Sequence, residues 1–260
     1  MKWDGANVGI FDEQMHGLDL FSGIGGITLA LKPWVRPVAY CEIDPFARSI
    51  LLSRMLDGEL PYAPIWDDVC TLGVRDLPRI DIIYGGFPCQ DLSIAGRKRG
   101  IEGERSGLFF EISRLVDECS PRLVFLENVP NIRKNGLDRV LQKLTDLGYD
   151  CAWHVLSARE IGAPHERKRW FCLARKMVNP NGKGEPRLPR RTETELHDAG
   201  NANQHQGTDY WSADESRIRR MVDGLPEGVD DRLSALGNSV VPQQVREAFI
   251  RLWNAQSFRK

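Results

Sequence analysis

Gly17-Leu18-Asp19-Leu20-Phe21-Ser22-Gly23-Ile24-Gly25-Gly26 is a short apolar run that breaks into glycines, with Ile24, Ile27 and Leu31 recurring at helical spacing behind it. The stretch reads as a strand that enters a tight turn and continues as a helix. Glycines in such a turn let the backbone approach a bound group closely at the start of a helix. By themselves these residues are equally satisfied by a tight turn and nothing more. They also lack the Gly-x-Gly-x-x-Gly spacing of a dinucleotide fingerprint.

The same strand-to-helix rhythm continues outward along the chain. Val38 to Glu42 is a second strand candidate, and Asp44 follows as a helix N-cap with Phe46, Ile50 and Leu51 periodic behind it. Ile80 to Tyr84 has the composition of a buried strand and opens a long loop from Gly85 to about Arg105. Leu108, Phe109, Ile112, Leu115, Val116 and Cys119 mark an amphipathic helix that Pro121 stops. Leu123 to Leu126 is a fourth strand, and Leu137, Val140, Leu141, Leu144 and Leu147 give a helix closed by Gly148. Trp170 to Ala174 is a late strand. Pro242 opens a last helix carrying Val245, Ala248, Phe249, Leu252 and Trp253. Alternation of this kind predicts an α/β fold with a mostly parallel sheet and helices on both faces. Ligands in such sheets bind at the carboxyl ends of the strands, where the loops of interest fall.

Length and composition narrow the classes. A chain of 260 residues suits one large α/β domain with a small appendage, or two modest domains. With 42% hydrophobic and 27% charged residues it is ordinarily globular, which excludes collagen-like and disordered readings. The composition shifts near residue 176, and Asn179 to Tyr210 is rich in Asn, Gly, Pro, Arg and Thr. Net charge is −1, so a nucleic-acid partner has to be met by local basic clusters. Candidates are Arg97-Lys98-Arg99, Arg167-Lys168-Arg169, Arg187 to Arg191 and Arg217 to Arg220, although each alone reads as a solvated face. None of the six cysteines forms a Cys-x-x-Cys pair, so no metal site is expected. The chain shows no signal-peptide run and nothing near the ~20 apolar residues of a membrane helix. The expectation is a cytoplasmic protein with reduced thiols and no membrane partner.

Several residues sit where chemistry is done in such folds. Glu42, at the end of the second strand and about 20 residues past the glycine turn, can accept from ribose hydroxyls or simply start a helix. Asp68, after Trp66, is a further acid of this kind and could accept from an adenine amino group. Gly85-Gly86-Phe87-Pro88-Cys89-Gln90-Asp91-Leu92-Ser93 lies just past a strand. A cysteine in a Gly/Pro-shaped loop at a strand end, with Arg97 to Arg99 nearby, suits a thiolate nucleophile rather than a core position. In Phe125-Leu126-Glu127-Asn128-Val129-Pro130 a carboxylate ends a strand and an amide follows it. That carboxylate is a general acid if burial raises its pKa, or half of a Glu–Asn turn cap. In His165-Glu166-Arg167-Lys168-Arg169 the two outer arginines alternate on an extended segment and would point the same way, a pairing suited to phosphate and a carbonyl oxygen. Ala235-Leu236-Gly237-Asn238-Ser239-Val240-Val241-Pro242 is a turn that enters the last helix.

In this order the motifs resemble those of the cytosine-C5 DNA methyltransferases, over roughly residues 16–175 and 232–255. The Phe21-to-Gly26 turn, the Gly86-Phe87-Pro88-Cys89-Gln90 loop, Glu127-Asn128-Val129 and Gly237-Asn238-Ser239 all carry the likeness. It implies a Rossmann-like S-adenosylmethionine-dependent methyltransferase fold acting on double-stranded DNA. The target cytosine is flipped from the duplex, Cys89 attacks carbon 6, and Glu127 serves ring nitrogen 3. Asn128 then holds the Cys89 loop, Arg169 meets the cytosine carbonyl, and Arg167 meets the flipped nucleotide's phosphate or the nucleophile region. For the cofactor, the likeness implies Phe21, Ser22, Gly23 and Gly25 around the methionine part, and Glu42 on the ribose. Ile43, Asp68 and Val69 fall around the adenine, Gly86, Pro88 and Leu108 complete the pocket, and Asn238, Ser239 and Val240 close it.

Residues 1–175 are then a catalytic and cofactor-binding domain, 176–231 a reduced target-recognition region, and 232–260 a segment packing back onto the first. The sequence departs from the family pattern at His165, where glutamine is usual, and in the shortness of 176–231. Arg232 to Leu236 is the candidate for the short motif before the last turn. A recognition region this small predicts a site of two to four bases, or relaxed selection. A monomer without an obligate protein partner is the expected state. An RNA cytosine-C5 methyltransferase on the same core, and a non-catalytic DNA-binding protein on the same fold, are the rival readings.

Overall fold

The computed structural model describes residues 14–75, 77–88, 108–177 and 239–257. In these residues seven strands form one sheet: β1 (Met15–Leu20), β2 (Val35–Cys41), β3 (Ile65–Trp66), β4 (Ile82–Gly86), β5 (Leu123–Asn128), β6 (Tyr149–Ser157) and β7 (Lys168–Lys176). The helices between them are α1 (Gly26–Leu31), α2 (Pro45–Leu56), α3 (Leu108–Cys119), α4 (Ile132–Asn135), α5 (Leu137–Asp146) and α6 (Pro242–Ser257).

The sheet order is β3-β2-β1-β4-β5-β7-β6. Strands β1 to β5 pair in parallel, and β7 runs antiparallel between β5 and β6. The chain therefore moves outward from β1 to β3, returns to the middle, and moves outward again through β4 and β5. Its reversal leaves a crevice beyond the carboxyl ends of β1 and β4. Because β7 is inverted, its first residues lie at the edge where the parallel strands end. That inversion brings an arginine segment, far along the chain, beside the end of β5.

Period-two alternation divides most of the sheet residues between two cores, and a smaller third core gathers Tyr40 of β2 with Leu51, Met55 and Leu60. Leu18, Leu20, Ile83, Val124, Leu126, Trp170 and Cys172 face α3 and α5, packing on Phe109, Ile112, Val116, Val140 and Leu144. Met15, Ile82, Tyr84, Phe125, Phe171 and Leu173 face α1 and α6, packing on Ile27, Leu31, Val245, Phe249 and Trp253. Helices thus cover both faces. At about 25 cal/mol per Å2, each wholly buried aromatic such as Phe125 or Phe249 contributes roughly 2–3 kcal/mol of transfer free energy.

Strand ends differ from the sequence reading for identifiable reasons. β2 begins at Val35 rather than Val38, because Pro37 is tolerated where the β1–β2 register shifts between Gly17 and Leu18. β4 is displaced toward Gly86, and β5 runs on through Glu127 and Asn128. β3 and β6 were not foreseen. Asp44 does cap α2, its side chain accepting from the Phe46 N–H at 2.9 Å, with Pro45 at the first helical position.

Candidate active site

The glycine turn after β1 is held from several sides. Phe21, Gly23 and Gly25 have φ of 54°, 53° and 82°, all in the left-handed region. Gly25 tolerates this freely, and a Cβ there would collide with Leu60. Phe21 does so at a cost that its surroundings must offset. The Ser22 hydroxyl donates to the Asp19 carbonyl at 3.0 Å, and Arg54 Nη1 donates to the Ile24 carbonyl at 2.6 Å.

Glu42 lies just past β2 and reaches across to this turn. One of its oxygens accepts from the Gly23 N–H at 2.7 Å, the other from the Asp44 N–H at 2.8 Å. A carboxylate has about four acceptor positions, so capacity remains for two hydroxyls. Ile43 beside it is 72% exposed, an apolar surface of the sort an aromatic ring covers. Asp68 caps the Cys70 N–H at 2.9 Å, while the Val69 side chain is buried in the core and its carbonyl accepts from Arg114 Nη2 at 3.1 Å. Val240 packs against Gly26, Leu108 packs at the edge of the core, and Pro88 is exposed. The pinned carboxylate, exposed aliphatic side chain and open glycine turn fit an adenosyl group with its ribose.

Beneath the turn is a feature that the sequence reading did not single out. Asp19 is buried in β1, accepting from the Thr28 hydroxyl at 2.6 Å, and Thr28 in turn bonds the Tyr84 hydroxyl at 2.8 Å. Burial, with the nearby Glu42 charge adding, pushes the Asp19 carboxyl up to about 8. A polar residue inside an otherwise apolar strand run was the available signal.

Across the crevice, Glu127 is 8% exposed near the end of β5. Arg169 Nε meets its Oε1 at 2.9 Å. Its other oxygen lies against the backbone of Gly86, where an added Cβ would stand 2.7 Å from it. Only glycine leaves room for the carboxylate there. Burial raises the Glu127 pKa to about 7, and the Arg169 and Arg167 charges limit the rise. The group therefore exchanges a proton near neutral pH.

Asn128 turns its amide to the next loop. Its Nδ2 donates to the Phe87 carbonyl at 2.8 Å, and its Oδ1 accepts from the Val129 N–H at 2.8 Å. Phe87 packs on Phe109 with ring centroids 5.5 Å apart. The loop that leads on to Cys89 is thereby fixed to β5 and α3. Arg167 donates to the Ser239 carbonyl at 2.6 Å, tying the arginine segment to the start of the last helix.

Cys89 and Asn238 lie outside the described residues, as do the basic clusters at 97–99, 187–191 and 217–220. The structure brings Gly86, Glu127, Asn128, Arg167, Arg169 and Ser239 to one edge. It brings Phe21 to Gly25, Glu42 and Ile43 to the adjoining part of that edge. Among the described residues no group of three or more His, Cys, Asp or Glu could hold a metal ion.

The profile of the C-5 cytosine-specific DNA methylases matches residues 15–248. The chain is 36% identical over 239 residues to the type II methyltransferase M.CviJI of Paramecium bursaria Chlorella virus IL3A, covering 91% of this chain and 59% of that protein. It is 37% identical over 172 residues to the type II methyltransferase M.HhaI of Haemophilus parahaemolyticus, covering 63% of this chain and 51% of that one. It thus spans well under two thirds of the length of either relative. Among solved structures, the S. pombe Dnmt2 methyltransferase matches with a TM-score of 0.60 at 18% identity, over 95% of this chain and 100% of that chain, a likeness of fold.

Proposed function

The chain belongs to the C-5 cytosine-specific DNA methylase family, and from that premise we propose that it transfers a methyl group from S-adenosylmethionine to carbon 5 of cytosine in duplex DNA. The observation that carries this reading is Glu127: a buried carboxyl near neutrality, faced by Arg169, beside a loop that Asn128 anchors.

S-Adenosylmethionine supplies an electrophilic methyl group on a sulfonium. Phe21 to Gly25, Glu42, Ile43, Asp68, Val69, Gly86, Pro88 and Leu108 would hold it, with Asn238, Ser239 and Val240 closing the pocket. The Cys89 thiolate adds to carbon 6 of a flipped-out cytosine, forming a carbon–sulfur bond and driving the ring's electron pair toward carbon 5. Glu127 hydrogen-bonds or protonates ring nitrogen 3, so negative charge does not build up on the base. Arg169, already at Glu127, orients that carboxyl and serves the neighbouring cytosine carbonyl. Arg167 steadies the nucleotide or the nucleophile loop. After methylation, loss of the carbon-5 proton returns an electron pair to the ring and expels the Cys89 thiolate. Proton exchange near neutral pH at Glu127 fits the acid role.

Residues 176–231 are the part of the chain available for choosing a sequence, as they join β7 to the segment before α6. Their length supports a short or relaxed target. No described helix is long and apolar enough to cross a membrane. We place the protein in the cytoplasm, as a monomer on DNA.

Tritium transfer from labelled S-adenosylmethionine to duplex DNA, with tRNA in parallel, tests the reading. Transfer to DNA that Cys89→Ser abolishes supports it. So does a denaturation-resistant complex with 5-fluorocytosine DNA that requires the cofactor. Undiminished transfer by the serine variant, or transfer to tRNA alone, would overturn it. Bisulfite sequencing then reads the target, and a long strict site would contradict the short-recognition proposal.

A further inference from the structure

Gln244, in the first turn of α6, is wholly buried. Its Nε2 donates to the Leu156 carbonyl at 2.8 Å and to the Arg167 carbonyl at 2.6 Å. Two carbonyls can be served only by the NH2 end of the amide, so its orientation is fixed by its partners. Its Oε1 has no hydrogen-bond partner among the described residues. An unpaired buried amide oxygen is a cost to folding that an aliphatic side chain of similar size would not incur. Packing alone therefore does not account for glutamine here.

The two bonded carbonyls mark a particular piece of chain. Leu156 is one residue short of the end of β6, and Arg167 immediately precedes β7. Between them the chain makes a capped 3-10 turn over Ala158–Ile161 and doubles back. The Arg167 carbonyl also accepts from the Ala158 N–H at 3.1 Å, so Gln244 takes its second acceptor position. Five residues before Gln244, the Ser239 carbonyl accepts from the Arg167 guanidinium at 2.6 Å. Backbone and side chain of Arg167 are thus both held by the start of the last helix. Two residues further on, Arg169 reaches Glu127 at 2.9 Å.

We propose that Gln244 is a positioning residue: by clamping the Arg167 carbonyl to the end of β6, it sets where the Arg167 and Arg169 guanidinium groups stand relative to Glu127. The inference rests on the methyltransferase reading for its catalytic meaning. Arg169 and Arg167 are the charged groups acting on Glu127 among the described residues, and both hold its pKa down against burial. Loosening the clamp weakens that hold and raises the pH at which Glu127 ionises.

Gln244→Met keeps an unbranched side chain of similar length and deletes both donors. The full-length variant is compared with wild type by methyl-transfer kinetics on duplex DNA. A pH titration of 13C-carboxyl-labelled glutamates, with Glu127 assigned through Glu127→Gln, runs alongside. The expected result is a kcat lowered about tenfold or more with KM for the cofactor changed less than about twofold. The Glu127 midpoint moves upward by about half a pH unit or more. A lower melting temperature with unchanged turnover and unchanged Glu127 midpoint would overturn the inference, because a merely structural residue gives that result. Gln244→Leu, which also deletes both donors and adds no charge, is scored by the same two measurements if the methionine variant does not fold. If wild type itself transfers no methyl group, the proposed function fails. The titration still decides the Gln244 inference on its own.

Discussion

Two buried acids stand one residue short of the end of their strands, on β1 and β5 at the same end of the sheet, and they are handled in opposite ways. Asp19 in β1 meets the Thr28 hydroxyl, and burial pushes it up to about 8. Glu127 in β5 meets the Arg169 guanidinium, and the same cause raises it only to about 7. Burial keeps Asp19 neutral at working pH because its hydroxyl donors lower the pKa too little to offset it, whereas the cations at Glu127 hold that acid closer to ionisation. The first arrangement supports a turn and the second suits proton exchange. The glycine-turn side of the crevice relies on backbone N–H groups pinned by the Glu42 carboxylate and on the buried Asp19–Thr28 hydrogen bond. The Glu127 side relies on guanidinium groups delivered by an inverted strand.

The sharpest way to break this comparison is to neutralise each acid in turn. Glu127→Gln should lower methyl transfer by about 10²–10⁴-fold, as loss of a general acid does. Transfer assays, with circular dichroism checking the fold, measure it. The same assays across pH should show wild-type activity falling as pH rises through about 7, since the protonated carboxyl is the useful form. That limb should vanish in Glu127→Gln. Gly86→Ala sets a Cβ 2.7 Å from the Glu127 carboxylate, which must then move. A displacement of that kind should cost about 10–100-fold in kcat with melting temperature little changed. Arg169→Ala should reduce turnover about tenfold and shift the pH limb upward, because the cation opposing the effect of burial is gone.

Asp19→Asn is expected to have the smallest effect on turnover and to show itself in stability instead. Unfolded, the Asp19 carboxyl ionises near 3.8, and folded near 8. Between those values the native state holds a proton that the unfolded state has lost, so stability falls as pH rises. The contribution is at most about 1.4 kcal/mol per pH unit. Melting curves from pH 4 to about 8 should therefore slope less steeply in Asp19→Asn than in wild type. A large loss of transfer with no change of slope would mean that the two acids are not different in kind.

Much of this organisation was legible in the sequence because local chemistry declared it. The glycine turn, the Asp44 cap and the periodic helix behind Leu108 each depend on neighbours close along the chain. Strand β6 was not legible, since Tyr149–Ser157 is half-buried on both sides and shows no clean alternation. Nor was two-residue β3, which exists only through pairing with β2. The acid role suggested for Glu127 came from its type and place, and the loop-holding role of Asn128 from the family resemblance, but neither foretold the Gly86 close approach that seats the carboxylate. Gln244 was invisible for the same reason: a glutamine in a helix carries no signal until residues 77 and 88 positions away are brought to it. Strand alternation suggested that Arg167 and Arg169 face one way. It did not reveal that Arg167 would be engaged by the Ser239 carbonyl.

Helix α6 bears on how the protein comes to be folded in the cell. One of the two larger cores joins Met15, at the start of β1, to Trp253, near the end of α6. A nascent chain emerging from the ribosome has only α1 to cover that face of its central strands until the residues around 253 are free. Closure of the sheet is thus a late, long-range event, and a stalled or clipped product would present bare aliphatic and aromatic surface to chaperones.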